Sequence, residues 1–359
     1  MTENTLARLA RSDAEYTAFG LSRTIQRWED GARTDNRAGT YEWWYFDAHL
    51  ADGSVLVIVF QNKDFTVPRT ALDPLIRFEL TLPDGRQVDR IVRFNPAEWS
   101  AATDHADVRI GAGNRFSGDL HEYRISVDLG DVSADVVITG EVPAWRPETG
   151  IMLFGERQDH EFGWLPSVPQ GQVTASYTVD GKTTETTGVG YHDHNWGNAA
   201  LPSLIHNWYW ARGQAGPFSV IASYITAAED YDFNTIPLFL LAKDGEVVAD
   251  DDTKVTFDTE VVATDERTGK PVADVTRYTY VDGDDTYVVK FERRQTIASE
   301  RLIDTLSGPK KLAAKIARFD GAYLRFSGAV TVEHYRRGDL VDTANDDGVW
   351  ELMYFGHAR

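Results

Sequence analysis

Asp-Gly pairs at Asp52-Gly53, Asp84-Gly85, Asp180-Gly181, Asp244-Gly245 and Asp282-Gly283 punctuate the chain, mostly between runs rich in Val, Ile, Tyr, Phe and Thr. Asp-Gly tolerates the positive φ angles of a tight turn, so each pair predicts two antiparallel strands joined by a short loop. Residues 54–61, 218–226 and 236–243 supply strands of this kind. Helix signals are few. Ser307-Gly308-Pro309 ahead of Leu312, Ile316 and Phe319 predicts one helix, and residues 5–12 a shorter one. The expected class is therefore all-β, with antiparallel barrels or sandwiches and one or two short helices.

A chain of 359 residues exceeds the ~150 residues of one average domain, so two domains are expected. The break is placed where Trp196-Gly197-Asn198-Ala199-Ala200 gives way to Leu201-Pro202, giving domains 1–200 and 201–359. A faint echo, Tyr41 to Phe46 against Trp350 to Phe355, suits a duplicated design.

Several function classes are disfavoured. A net charge of −20 repels phosphate backbones, which argues against nucleic-acid partners. The chain has no Cys, which removes disulfides, thiolate nucleophiles and Cys-based metal sites and suits a cytoplasmic location. Arg8, Arg11, Asp13 and Glu15 interrupt any secretion-type apolar run near the start, and no segment has the ~18 uninterrupted apolar residues of a membrane span. P-loop, Gly-x-Ser-x-Gly and dinucleotide fingerprints are missing, and His121-Glu122 lacks the second His of a zinc-protease helix. Asp250-Asp251-Asp252 and Asp282-Gly283-Asp284-Asp285 lack EF-hand spacing and read as hairpin tips.

Aromatic residues make up 12% of the chain, and many cluster at Tyr41 to Phe46, Tyr191 to Trp196 and Trp208 to Trp210. Alternate side chains of a strand share a face. His192, His194 and Trp196 then look one way, with Tyr191, Asp193 and Asn195 opposite. Likewise His206, Trp208, Trp210 and Arg212 share a side. Imidazoles interleaved with indoles suit a pocket for a large hydrophobic ligand better than a plain core. Three readings of Gly190 to Gly197 stay open: a metal site with His206 or Glu161, an imidazole oriented by Asp193 or a backbone carbonyl for proton transfer, and a strand end stabilised by Asp193 and Asn195.

With Glu42-Trp43-Trp44-Tyr45-Phe46, then Gly190-Tyr191-His192-Asp193-His194-Asn195-Trp196-Gly197, then Trp208-Tyr209-Trp210, the chain resembles the carotenoid 1,2-hydratase (hydroxyneurosporene synthase) and AttH-like superfamily, which includes natural-product cyclases of the Diels-Alderase type. The resemblance implies two lipocalin-like β domains, a hydrophobic pocket between or within them, and no organic cofactor. Site residues on both sides of position 200 favour the seam. In the hydratases a Tyr-x-Asp follows the His-x-Trp element, whereas Ser223-Tyr224-Ile225-Thr226 stands here. A threonine hydroxyl cannot replace the buried acid that alkene hydration needs, so a hydratase would have to draw on Glu42, Asp193, Asp230 or Asp232.

The expected function is cofactor-independent cyclisation, by cycloaddition, or isomerisation of a polyunsaturated polyketide or terpenoid. A hydratase acting on a carotenoid-like or terpenoid C=C bond and a non-catalytic carrier of a hydrophobic metabolite are the alternatives. The candidate catalytic residues are His194, Tyr224, Asp193 and Asn195. The candidate substrate-binding residues are Glu42, Trp43, Tyr45, His192, Trp196, Trp208, Trp210 and Thr226. No metal ligand is assigned, and the expected partner is a hydrophobic small molecule, without stable membrane insertion.

Overall fold

Each of these five Asp-Gly pairs joins neighbouring antiparallel strands in the computed structural model, which describes residues 5–305 and 319–358. At Asp180-Gly181 and Asp244-Gly245 both residues have positive φ, 54° and 73° in the first pair and 52° and 84° in the second. That is the paired left-handed geometry whose twist matches the flanking strands. The first turn joins strands His160–Val179 and Lys182–Gly197, the second Thr235–Lys243 and Glu246–Ala249.

The helix expected over 5–12 is displaced. Residues Ala7–Leu9 form a strand and the helix spans Asp13–Ala18. Ser12 caps it: its hydroxyl accepts from the Glu15 N–H while the Glu15 carboxylate accepts from the Ser12 N–H. This reciprocal pair fixes the helix start after Ser12. The helix expected over 307–319 falls, apart from Phe319, outside the described residues.

The backbone clusters into two units, one of Leu9–Leu153 with Gln158–Leu201, the other of the described residues from Pro202 onward with residues 5–8 and Phe154–Arg157. In the first unit strand Tyr41–Leu50 pairs with Lys182–Gly197, which pairs with His160–Val179 and then Val132–Gly140. The sheet curls around one core. Phe60 and Phe116, on strands far apart in sheet order, meet at 5.7 Å between ring centroids. Trp44, Phe46, Ile58, Phe78, Val108, Ile125 and Ile138 fill the same interior.

The second unit is a nine-stranded antiparallel sheet running from Glu246–Ala249 at one edge to Val255–Thr264 at the other. It also curls: Phe239 and Tyr280 stack at 5.9 Å, and Tyr278, Phe291, Leu324, Phe326 and Trp350 complete its core. Both units thus have the all-β, lipocalin-like character expected. No helix among the described residues is long and apolar enough to cross a membrane.

Candidate functional site

Strands Tyr41–Leu50 and Lys182–Gly197 pair so that Glu42 faces Trp196, Trp43 faces Asn195, Trp44 faces His194, Tyr45 faces Asp193 and Phe46 faces His192. The two-residue period then divides these residues between two faces. Glu42, His192, His194 and Trp196 accompany Trp44 and Phe46 on the interior side. Trp43, Tyr45, Tyr191, Asp193 and Asn195 lie on the outer side.

The interior residues form an ionic cluster. His194 is fully buried, its Nε2 is 2.8 Å from Glu42 Oε1, and its Nδ1 is 3.3 Å from Asp30 Oδ1. The Nδ1 contact is an ion-pair approach without hydrogen-bond alignment. Trp44 stacks on the imidazole at 4.2 Å and 13°, and its indole N–H donates to the Asp30 carbonyl at 3.0 Å. Burial alone would push the His194 imidazole down, but the two carboxylates outweigh it and raise its pKa. A charged imidazolium clamped between two anions is the favoured form.

His192 Nδ1 donates to the Tyr45 carbonyl at 2.8 Å, and its Nε2 is 3.2 Å from Asp30 Oδ2, which also accepts the Tyr123 hydroxyl. Burial opposes the charge on Asp30, yet His192 and His194 hold that carboxyl well below the usual range. Glu42 accepts from the backbone N–H of Arg33 and, on Oε2, from the Thr34 N–H at 3.1 Å and hydroxyl at 2.8 Å. The cluster therefore ties the 3-10 turn Arg27–Asp30 and the residues after it to the barrel. A backbone carbonyl does orient His192, as one sequence reading had it, but the acids at the imidazoles are Asp30 and Glu42. Asp30 carried no sequence signal; it lies 162 residues before His192, in a segment without periodicity.

The outer face holds a different arrangement. Asp193 Oδ2 accepts from the Tyr191 hydroxyl and the Trp164 indole N–H, both at 2.7 Å, and Oδ1 accepts from Asn195 Nδ2 at 2.7 Å. Burial pushes this carboxyl up to about 6 although all three donors pull it down. Half-buried Tyr45 lies 6.2 Å from Tyr191 and donates to Asp47 Oδ2 at 3.1 Å. Half-buried Trp43 packs on Tyr41 at 5.7 Å, Phe65 at 5.3 Å and Phe162 at 6.1 Å. The carboxyl, raised by burial, stands here beside an aromatic shelf.

Tyr224 and Thr226 belong to the second unit. Tyr224 is in register with Tyr209, Trp208 with Ile225 and Trp210 with Ser223. Tyr224 therefore joins the interior side, where it stacks on Phe257 at 4.2 Å and 19°, and Thr226 follows it two residues on. Trp208 and Trp210 take the opposite face, where the Trp208 indole N–H donates to Glu351 at 3.0 Å and its ring meets Phe355 at 5.4 Å. The strand pair thus separates Tyr224 and Thr226 from the two tryptophans. Asp230 and Asp232 are solvent-exposed.

Among the described residues no group of three or more His, Cys, Asp or Glu is arranged to hold a metal ion. His206, considered as a partner for His192 and His194, is in the second unit, where Nε2 donates to the His357 carbonyl at 2.7 Å.

These features define a two-unit, all-β protein with a buried, hydrogen-bonded carboxyl set among aromatic side chains. A family model for Diels-Alderase-like proteins matches residues 32–296, and the chain belongs to that family. It is similar to the quinolone epoxide rearrangement protein asqO of Emericella nidulans, 26% identical over 196 residues that cover 51% of this chain and 53% of that protein. It is similar also to the Diels-Alderase ucsH of an Acremonium species, 24% identical over 208 residues, 53% of this chain and 51% of that protein. The chain thus spans about half the length of these curated relatives. The crystal structure of a Nitrosomonas europaea protein assigned as AttH superposes with a TM-score of 0.60 at 18% identity, covering 97% of this chain and all of that one. At that identity the likeness establishes the fold, and it agrees with the AttH-like resemblance in the sequence.

Proposed function

We propose that this chain is a biosynthetic enzyme that cyclises or isomerises a hydrophobic polyunsaturated polyketide or terpenoid, with Asp193 as its proton-exchanging group. One observation carries the reading: a nearly buried carboxyl at about 6, held by Tyr191, Trp164 and Asn195, beside the half-buried aromatics Trp43 and Tyr45. Membership of the Diels-Alderase-like family supports the reaction class.

In this reading the aromatic shelf holds a flexible polyene in a folded conformer, an entropic effect worth up to ~7–11 kcal/mol in favourable cases. Protonated Asp193 donates a hydrogen bond to a conjugated carbonyl and draws electron density from the diene or dienophile. Deprotonated, it takes a proton from an acidic position and returns it elsewhere, which is isomerisation. His192, His194 and Glu42 are enclosed on the opposite side and serve as positioning residues that hold the strand carrying Asp193. No step passes through Tyr224 or Thr226.

A second reading has one observation in its favour. Asp193 is a carboxyl partly protonated near neutral pH, and it supplies the acid that Thr226 cannot, so hydration of an alkene is the competing chemistry. Mass-spectrometric profiling of the host with and without the gene separates these readings, with re-introduction of wild type or Asp193→Asn. A substrate and product of equal mass, interconverted by wild type and hardly by the variant, is the expected result. A pair differing by one water would replace cyclisation with hydration. No pair would leave a carrier, and full restoration by Asp193→Asn would remove the role given to that residue.

A further inference from the structure

Arg33 is the base whose surroundings the ionic cluster leaves unexplained. Its backbone is fixed by Glu42, and its guanidinium carbon lies 4.4 Å over the Trp28 ring and 5.6 Å from the Trp196 ring. Nε is enclosed and has no hydrogen-bond partner, and no carboxylate stands at ion-pair distance among the described residues. The side chain as a whole is only half-buried.

Other buried bases are matched. Arg146 Nε donates to Glu29 at 2.7 Å, Lys63 Nζ donates to three backbone carbonyls at 2.9, 2.9 and 3.1 Å, and Lys270 pairs with Asp320 at 2.7 Å. In a chain with 56 acidic and 36 basic residues, an Arg lacking an acid contrasts with the general supply of carboxylates. The acids nearest in its field are engaged or weakened: Glu42 by His194, Glu29 by Arg146, and Glu161 by burial, which raises its pKa. Burial also lowers the Arg33 pKa, but a guanidinium stays charged throughout the working range.

A guanidinium desolvated against two indoles, with its donor edge open, presents a planar fork suited to two oxygens of an anion. The half-buried Trp28 ring beside it meanwhile offers area to an unsaturated chain, with buried Trp196 backing the guanidinium. We propose that Arg33, stacked on Trp28 and backed by Trp196, is a recognition site for the anionic oxygen group, carboxylate or enolate, of a hydrophobic unsaturated ligand. The site stands apart from the reaction assigned to Asp193 and does not depend on it.

The probes are trans-parinaric acid, a fluorescent conjugated tetraene with a carboxylate, and its methyl ester, which keeps the chain and removes the charge. Each is titrated at pH 8 into wild type, Arg33→Gln and Arg33→Lys, with circular dichroism and melting recorded for each variant. Wild type is expected to bind the acid more tightly than the ester despite its net charge of −20. Arg33→Gln weakens the acid by about ten- to a hundred-fold, as loss of a charge-assisted bond requires, and leaves the ester within about twofold. Arg33→Lys falls between, since a point charge replaces the fork. Equal binding of acid and ester by wild type overturns the proposal, as does failure of the acid to bind. Equal weakening of both probes in Arg33→Gln does the same. If Arg33→Gln does not fold, an acid-to-ester preference in Arg33→Lys equal to wild type overturns it too.

Discussion

Replacing Glu42 by glutamine leaves the buried His194 imidazole with one carboxylate instead of two. Glu42 Oε1 is 2.8 Å from Nε2 and neither side chain touches solvent, so the loss is that of one partner in a buried ion pair, about 3–5 kcal/mol. At about 2–4 °C per kcal/mol for a unit of this size, melting should fall by about 6–20 °C. The pH dependence identifies the cause. The folded-state pKa of His194 is raised above its ordinary value, so its stabilisation is fully present below ~6.5 and is lost as pH rises through the higher folded value. In Glu42→Gln that folded value drops back. The gap between wild type and variant should therefore be widest near pH 6 and narrow as pH rises through the wild-type folded value. Urea unfolding followed by tryptophan fluorescence at pH 6, 7.5 and 9 measures it. A difference below about 1 kcal/mol at pH 6, or one that widens as pH rises, would falsify the account of a clamped imidazolium.

Three further outcomes follow from the geometry. Asp193→Asn should abolish the limb of the rate profile near pH 6, and Tyr191→Phe, which removes a donor that pulls the carboxyl down, should move that limb to higher pH; an unchanged profile in both variants counts against Asp193. Gly163→Ala sets a Cβ 2.1 Å from Trp196 Cε2, an overpacking expected to cost at least ~1–3 kcal/mol, and an unaltered melting temperature would contradict the packing described. Tyr278 keeps an enclosed hydroxyl without a partner, so Tyr278→Phe should be neutral or stabilising by about 1 kcal/mol in thermal melts.

How much of this was legible in the sequence depends on how local the physics is. The hairpins were legible because Asp-Gly encodes its own turn, and the split of Gly190 to Gly197 into two faces because strand period is a property of the backbone. Ser12 and Glu15 also encode a helix start locally, and the displaced helix shows that the cap outranks the apolar residues before it. Asp30 was invisible. It meets His192 and His194 only after the sheet has curled, and no spacing rule connects positions so far apart. The grouping of Tyr224 with Trp208 and Trp210 met the same limit, because register, which places Tyr224 opposite Tyr209, is set by pairing rather than by either strand alone. Arg33 was missed because one Arg in a loop looks like any solvated base until its neighbours are known.

The two faces of strand Lys182–Gly197 constrain one another. A one-residue slip against Tyr41–Leu50 would turn His192 and His194 outward and drive Asp193 inward. The apolar pattern alone resists that slip weakly here, because both faces carry aromatic and polar side chains. The ionic cluster resists it strongly: a slipped strand would leave Asp30 and Glu42 buried without their imidazoles, at several kcal/mol for each uncompensated charge. Hydrophobic side chains in place of the cluster would pack as well without choosing a register. The interior histidines are thus what sets the position of Asp193 among its three donors, and damage to them should change the pH profile of the reaction as well as the stability of the fold.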